Sequence, residues 1–235
     1  MADQVVAFVC AMPMELEPLT RDLGLIATEI DGFAVQTGRL GDRMVVGIVT
    51  GMGTALAAAG VERLLDTFDV EHLFVVGIAG AGTHDHEIGV LVMPEVVLHG
   101  PSGREHRPTR LGDHEHVGTM HTSDELISDL EALVELQARG IVALDMETAA
   151  IAHACEARGV PWSVFRAISD RSSDGLVDSE VFAMSNLDGT PNHEAIAAYF
   201  EKYPEAAERL AQMGADSVLA TENAARAAIA AVEHL

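Results

Sequence analysis

The sequence predicts an α/β fold, a single domain over residues 1–235 with its sheet covered by helices on both faces. Two observations predict it. Short runs of β-branched and aliphatic residues, such as Val5–Cys10 and Leu73–Ile78, recur without polar alternation, as strands buried on both faces require. Ala-rich stretches with helical apolar spacing alternate with them. Composition agrees: 49% hydrophobic residues with 4% aromatics describe an aliphatic core, in a chain of 235 residues that can bury one.

Taken in order, Val5–Cys10 is the first buried strand and ends at Ala11-Met12-Pro13. A short amphipathic helix follows, with Glu15 near its start and Leu16, Leu19 and Leu23 facing inward. Phe33–Thr37 and Met44–Val49 read as strands around the turn Gly38-Arg39-Leu40-Gly41-Asp42. Thr50-Gly51-Met52-Gly53-Thr54 leads into a helix over Ala55–Phe68; glycines at such a turn let the backbone approach a ligand closely. Leu73–Ile78 is another strand, and Ala79-Gly80-Ala81-Gly82 a second small-residue turn. Gly89–Leu98 is strand-like with a bend at Pro94, Gly100–Gly118 a loop, and Val117–His121 a short strand. Ser123 is placed to cap a helix through Gln137. Beyond Asp170, Arg171–Gly175 and Asn186–Asn192 read as loops, and Glu194–Gln212 and Asp216–His234 as two closing helices.

The stretch Ile141–Asp170 concentrates the acids. Ile141–Leu144 and Trp162–Ile168 are strand-like, and between them Glu147–Arg158 is an Ala-dominated helix stopped by Gly159 and Pro161. Asp145 and Glu147 follow the first strand and Asp170 the second. Ligands of open α/β sheets collect beyond the carboxyl ends of strands, so these three carboxylates form a candidate active site. Spacing alone also allows a bland account, since acids in a first helical turn complement its dipole.

The formal net charge of −23, with Lys202 the sole lysine, makes binding to nucleic acid or to an anionic membrane surface unfavourable. The amino-terminal residues lack a basic signal-peptide region, and no apolar stretch approaches the roughly 20 residues of a membrane helix. Cys10 and Cys155 both lie in apolar elements, as reduced core thiols of a cytoplasmic protein do. Seven of the eleven histidines lie between His84 and His121, including His84-Asp85-His86 and His114-Glu115-His116. They sit in polar loop sequence without cysteine or a helical His pair, so no metal site is assigned.

Five stretches recur together in the order of one family: Ala11-Met12-Pro13-Met14-Glu15, Thr50-Gly51-Met52-Gly53, Gly77-Ile78-Ala79-Gly80-Ala81, Leu144-Asp145-Met146-Glu147 and Arg166-Ala167-Ile168-Ser169-Asp170. This set resembles the nucleoside phosphorylase/nucleosidase superfamily, and most closely its 5′-methylthioadenosine/S-adenosylhomocysteine nucleosidase branch. The likeness runs from about Val5 to Asp174, except for the loop at 100–118. It implies a three-layer α/β/α architecture with a central mixed sheet, a homodimer, a purine nucleoside as small-molecule substrate, and neither cofactor nor metal. It further implies that Glu15 activates the attacking water and that Asp170, steadied by Ser169, protonates the leaving purine at N7. Glu147 would hold the ribose hydroxyls with Met146 beneath the sugar, and Arg166 would support them as a charge behind the site. Met12, Gly80, Leu126, Ile127 and Asp145 complete the implied substrate contacts.

The chemistry asks for the same equipment. An N-glycosidic bond breaks through an oxocarbenium-like sugar, so one acid must protonate the leaving base while another directs water to the anomeric carbon. The phosphorylases of the superfamily carry phosphate-binding arginines in two neighbourhoods, here Cys10–Leu19 and Leu73–Gly77, and neither contains one. Hydrolysis is therefore expected rather than phosphorolysis. Three departures bear on the substrate: Asp145 replaces a glutamate, Ile78 a serine, and Leu126 an aromatic that stacks on adenine. With the short 100–118 loop and an unmatched tail beyond Asn186, they predict that methylthioadenosine is a poor or partial substrate. A futalosine-like nucleoside, a phosphate-dependent phosphorylase and a nucleoside binder without catalysis are the alternatives.

Overall fold

The computed structural model describes residues 4–83, 86–171 and 177–235. Of the expected loop Arg171–Gly175, Arg171 belongs to the strand before it, and its other residues, with His84 and Asp85, lie outside the described residues. The chain begins β1 (Val5–Cys10), α1 (Pro13–Leu23), β2 (Ile26–Ile30), β3 (Phe33–Leu40), β4 (Arg43–Val49) and α2 (Thr54–Thr67). It continues through β5 (Val70–Ala81), β6 (Leu91–Val92), β7 (Val96–His99), β8 (Glu105–His106), β9 (Thr119–Thr122) and α3 (Leu130–Ala138). It closes with β10 (Ile141–Asp145), α4 (Thr148–Arg158), β11 (Trp162–Arg171), α5 (Ser179–Phe182), α6 (His193–Lys202) and α7 (Ala207–Ala231).

Among the described residues these strands form one mixed sheet in the order β2-β3-β4-β1-β5-β10-β9-β7-β8, with β11 paired to β5 and β6. β5 is the hub. Val70–Val75 runs parallel to β1, Leu73–Ala81 runs parallel to β11, and Gly80 and Ala81 meet β10 antiparallel. Three strands can converge on that end because its residues are small. Strand alternation divides the core between two faces. Val5, Ala7 and Val9 pack toward Val61, Leu64, Ile151 and Cys155 of α2 and α4. Val6, Phe8 and Cys10 pack toward Leu16 and Leu19 of α1 and Ala224 and Ala228 of α7. Both cysteines are buried free thiols. Among the described residues no helix is long and apolar enough to cross a membrane.

Several elements differ from expectation for identifiable reasons. Ala79–Ala81 extends β5 rather than turning, because two neighbouring strands offer it ladder partners. The Gly89–Leu98 run splits into β6 and β7 around Pro94, which has no amide to donate. The predicted 100–118 loop contains β8, a two-residue partner for β7. α3 starts after Asp129, whose carboxylate accepts the Ala132 amide at 2.9 Å, while Ser123 turns locally onto the Glu125 amide. The break between the closing helices falls at Tyr203-Pro204, and α7 runs unbroken through Gln212–Asp216.

One buried histidine gives the fold a pH signature. His72 on β5 is 3% exposed, with Nε2 2.9 Å from Ser163 Oγ. Ser163 donates its own proton to Thr109 O at 2.6 Å, so its oxygen accepts from the neutral imidazole. Burial pushes this pKa down from 6.5 to about 4. Between those values the unfolded chain binds a proton that the native state refuses. The contribution is therefore full above pH 6.5 and lost as pH falls toward 4, on the order of 3 kcal/mol at most. In His72→Gln the amide can keep the Ser163 bond without titrating. Thermal melts from pH 7 to pH 4 are expected to show the wild type losing ground steadily to the variant, and parallel curves would refute this account.

Candidate active site

Pro13 opens α1 at a position where a missing amide proton costs nothing, and Glu15 follows within the first turn. The Glu15 side chain folds back rather than outward. Its Oε2 accepts the amides of Ala11 at 2.8 Å and Met12 at 2.9 Å, and its Oε1 accepts the Ile78 amide at 2.8 Å and Arg166 Nη1 at 3.3 Å. One carboxylate thus ties together the ends of β1 and β5 and the middle of β11. Gly77 makes room for it, since a Cβ there would lie 2.1 Å from Glu15 Oε1 and 2.6 Å from Arg166 Nη1.

Arg166 is 1% exposed and surrounded by acids. Its Nη1 donates to Ile78 O at 3.1 Å as well as to Glu15. Its Nη2 donates to Asp145 Oδ2 at 2.9 Å and Glu147 Oε2 at 3.2 Å. Burial works against its charge, but Asp145, Glu15 and Glu147 outweigh that and hold its pKa above the usual arginine value. Asp145 is further engaged by Thr122 Oγ1 at 2.6 Å and by the Thr148 amide at 2.8 Å. Glu147 accepts the Gly53 amide at 2.8 Å, where the approach to α2 presents free N–H groups. Its pKa is nevertheless pushed up to about 7, by burial first and by the Asp145 and Glu15 charges, against the pull of Arg166.

These groups share a cavity of about 300 Å³. Glu15, Arg166, Asp145, Met146 and Glu147 line it, as do Ser169 and Asp170 at the end of β11. Ser169 Oγ donates to Asp170 Oδ1 at 2.7 Å. Met12, Gly80, Leu126 and Ile127 complete the residues singled out from sequence, so the structure brings the whole set to one place. Asp145, like Glu15, is already committed, both of its oxygens serving Thr122, Thr148 and Arg166.

Sequence reading missed other walls of the cavity: Met14, Met52, Val181, Phe182, Met213 and Ser217. Met52 carried a usable signal, lying inside the glycine turn before α2. Phe182 supplies an aromatic side chain to a cavity in which Leu126 is aliphatic, and nothing local in its four-residue helix announces that. Of the histidine pairs, His86 and His114 line a separate cavity, and His106 bonds Glu156 at 2.9 Å. Among the described residues no group of three or more His, Cys, Asp or Glu is arranged to hold a metal.

The sequence model of the phosphorylase superfamily matches residues 5–115 and 104–220. The 5′-methylthioadenosine/S-adenosylhomocysteine nucleosidase of Exiguobacterium sp. is 28% identical over 200 residues, covering 72% of this chain and 86% of the relative. That of Actinobacillus succinogenes is 28% identical over 203 residues, covering 72% and 86%. Among solved structures, S-adenosylhomocysteine nucleosidase from Streptococcus pyogenes superposes with a TM-score of 0.75 at 18% identity, covering 100% of this chain and 98% of the other. Futalosine hydrolase of Helicobacter pylori gives 0.73 at 17% identity, covering 99% and 98%.

Proposed function

The chain belongs to the phosphorylase superfamily, and on that premise we propose that residues 1–235 form one catalytic domain, a purine nucleosidase. It hydrolyses the N-glycosidic bond of an adenosine-type nucleoside with a 5′-substituent, as in methylthioadenosine or S-adenosylhomocysteine. The observation that carries this is the seating of Glu15 in the cavity that also holds Asp170. Three backbone amides fix the Glu15 carboxylate, and its longest contact, 3.3 Å to Arg166, is the one a water can most easily share. In the reaction Glu15 takes a proton from that water as its oxygen bonds to the anomeric carbon. The bond from that carbon to the purine breaks, its electron pair passes to the base, and Asp170 delivers a proton to N7. Glu147 holds the ribose hydroxyls and places negative charge beside the oxocarbenium-like sugar.

Phosphate is a poor alternative to water here. Among the described lining residues, Glu15, Glu125, Asp145, Glu147 and Asp170 accompany a single guanidinium, Arg166, whose Nη1 and Nη2 already donate to Glu15, Asp145, Glu147 and Ile78 O. Purine nucleosides incubated with and without phosphate are expected to release free base and free sugar equally in both. A phosphate requirement with a ribose 1-phosphate product would move the protein to the phosphorylases. The same reading includes a homodimer in the cytoplasm. Leu130 and Val134, one turn apart on α3, leave an apolar strip that is 60% and 62% exposed, and sedimentation at micromolar concentration tests the assembly.

A further inference from the structure

Resting on the nucleosidase reading, we propose that Thr122 and Asp145 are positioning residues for Glu147: they cap α4 in its place and so leave its carboxylate free for the ribose hydroxyls. The family likeness implies a substrate contact for Asp145, and nothing in it singles out Thr122. The bonds give both residues another task. Glu147 is the residue from which α4 springs, at φ −131° and ψ −38°. A side chain at that place ordinarily accepts the amide of the second or third helical residue, because the first amides of a helix have no carbonyl of their own to meet. Glu147 makes no such bond. Its Oε1 takes the Gly53 amide and its Oε2 takes Arg166 instead. Capping falls to its neighbours. Asp145 Oδ2 accepts the Thr148 amide at 2.8 Å and the Glu147 amide at 3.3 Å, and Thr122 Oγ1 accepts the Ala149 amide at 3.1 Å. From Ala150 onward the helix supplies its own acceptors, beginning with Glu147 O at 3.0 Å.

Thr122 and Asp145 act as one unit. They are partners in the parallel ladder of β9 and β10, so their side chains leave the same face of the sheet. Thr122 Oγ1 donates its single proton to Asp145 Oδ1 at 2.6 Å, which leaves the hydroxyl oxygen to accept the Ala149 amide. Thr122 is fully buried, as is Thr148. In Thr122→Val the shape is kept and both bonds are lost. The Ala149 amide is then buried without an acceptor, which is costly. Ala149 is the second residue of α4, and the acceptor a helix ordinarily offers its second amide is the side chain that begins it, here Glu147. A Glu147 carboxylate that turns back to cap its own helix has left the ribose. Thr122 therefore acts on the reaction through Glu147, by removing the competing demand for its carboxylate.

The test is adenine release from 5′-methylthioadenosine and from its 2′,3′-dideoxy analogue, which lacks the hydroxyls that Glu147 holds. Wild type is compared with Thr122→Val and Thr122→Ser. Both compounds are read on one preparation, so the ratio of their kcat/KM values does not depend on how much of a variant folds. Thr122→Cys, whose thiol bonds only weakly, stands in if valine prevents folding. The ribo-to-dideoxy ratio is expected to fall about tenfold or more in the valine variant, the worth of one hydrogen bond to a charged group. Serine keeps the hydroxyl and should restore the ratio. A valine variant that keeps the wild-type ratio, whatever its overall activity, or a serine variant as impaired as valine, would overturn the proposal while leaving the nucleosidase reading intact. Wild type that releases adenine from neither compound would take down both.

Discussion

Replacing Arg166 with methionine is expected to cost about 3–5 kcal/mol of stability, the range found when one partner of a buried ion pair is removed. The loss should deepen as pH rises. Methionine fills much of the same volume, so the cavity term is small and the electrostatic term dominates. Arg166 donates to Glu15, Asp145 and Glu147, each of them buried. Without the guanidinium those carboxylates either stay ionised beside one another or take up protons.

The pH dependence follows from Glu147. Its native pKa is already raised from 4.5 to about 7. The native state therefore holds a proton that the unfolded chain has released across that interval. The contribution is full below pH 4.5 and lost as pH rises through 7. Removing Arg166 raises the native pKa further and carries the loss to more alkaline pH. Urea unfolding of both proteins at pH 5 and pH 9 should show the smaller deficit at pH 5. A deficit of equal size at the two pH values, or none, would mean that Arg166 does not hold the acids together. Activity should disappear in the variant as well, because Glu15 and Glu147 lose a shared anchor.

How much of this was legible beforehand depends on where each residue gets its signal. β1, β10 and β11 are continuous apolar runs, so their ends could be placed to within a few residues, and with them Glu15, Asp145, Glu147, Arg166 and Asp170, whereas β5 runs on past Ile78 to Ala81. β2 could not be placed. It is an edge strand with Ile26 70% exposed, and its pattern comes from pairing with β3 alone. Small residues were ambiguous in the other direction: Ala79-Gly80-Ala81 suits a turn and a crowded strand equally, and only the neighbours decide. Phe182 and Met213 reach the cavity from α5 and α7, across long sequence separations. On α7 an apolar residue facing a substrate and one facing the sheet have the same spacing. Periodicity therefore finds the sheet ends, while the walls that set specificity emerge only from tertiary packing.

The change Asp170→Asn is expected to lower kcat by about 10²–10⁴-fold, the usual worth of general-acid assistance, while leaving the fold intact. Asp170 sits near the end of β11, opposite Gly80 in the ladder, and the amide is nearly isosteric. The Ser169 hydroxyl, now donating to Asp170 Oδ1, finds the amide oxygen in the same place, so substrate binding should weaken only modestly. What the amide cannot supply is the proton for the departing purine. A nitrophenyl riboside separates these roles, because nitrophenolate leaves without protonation. Its cleavage should be far less affected than that of the adenosine substrate, since Glu15 and the ribose contacts are unchanged. If both substrates lost activity equally, with circular dichroism and Tm unaltered, Asp170 would be positioning the nucleoside rather than protonating it. The acid would then have to be sought among the other carboxylates of the cavity, with Glu147, whose pKa is already raised to about 7, the first to test.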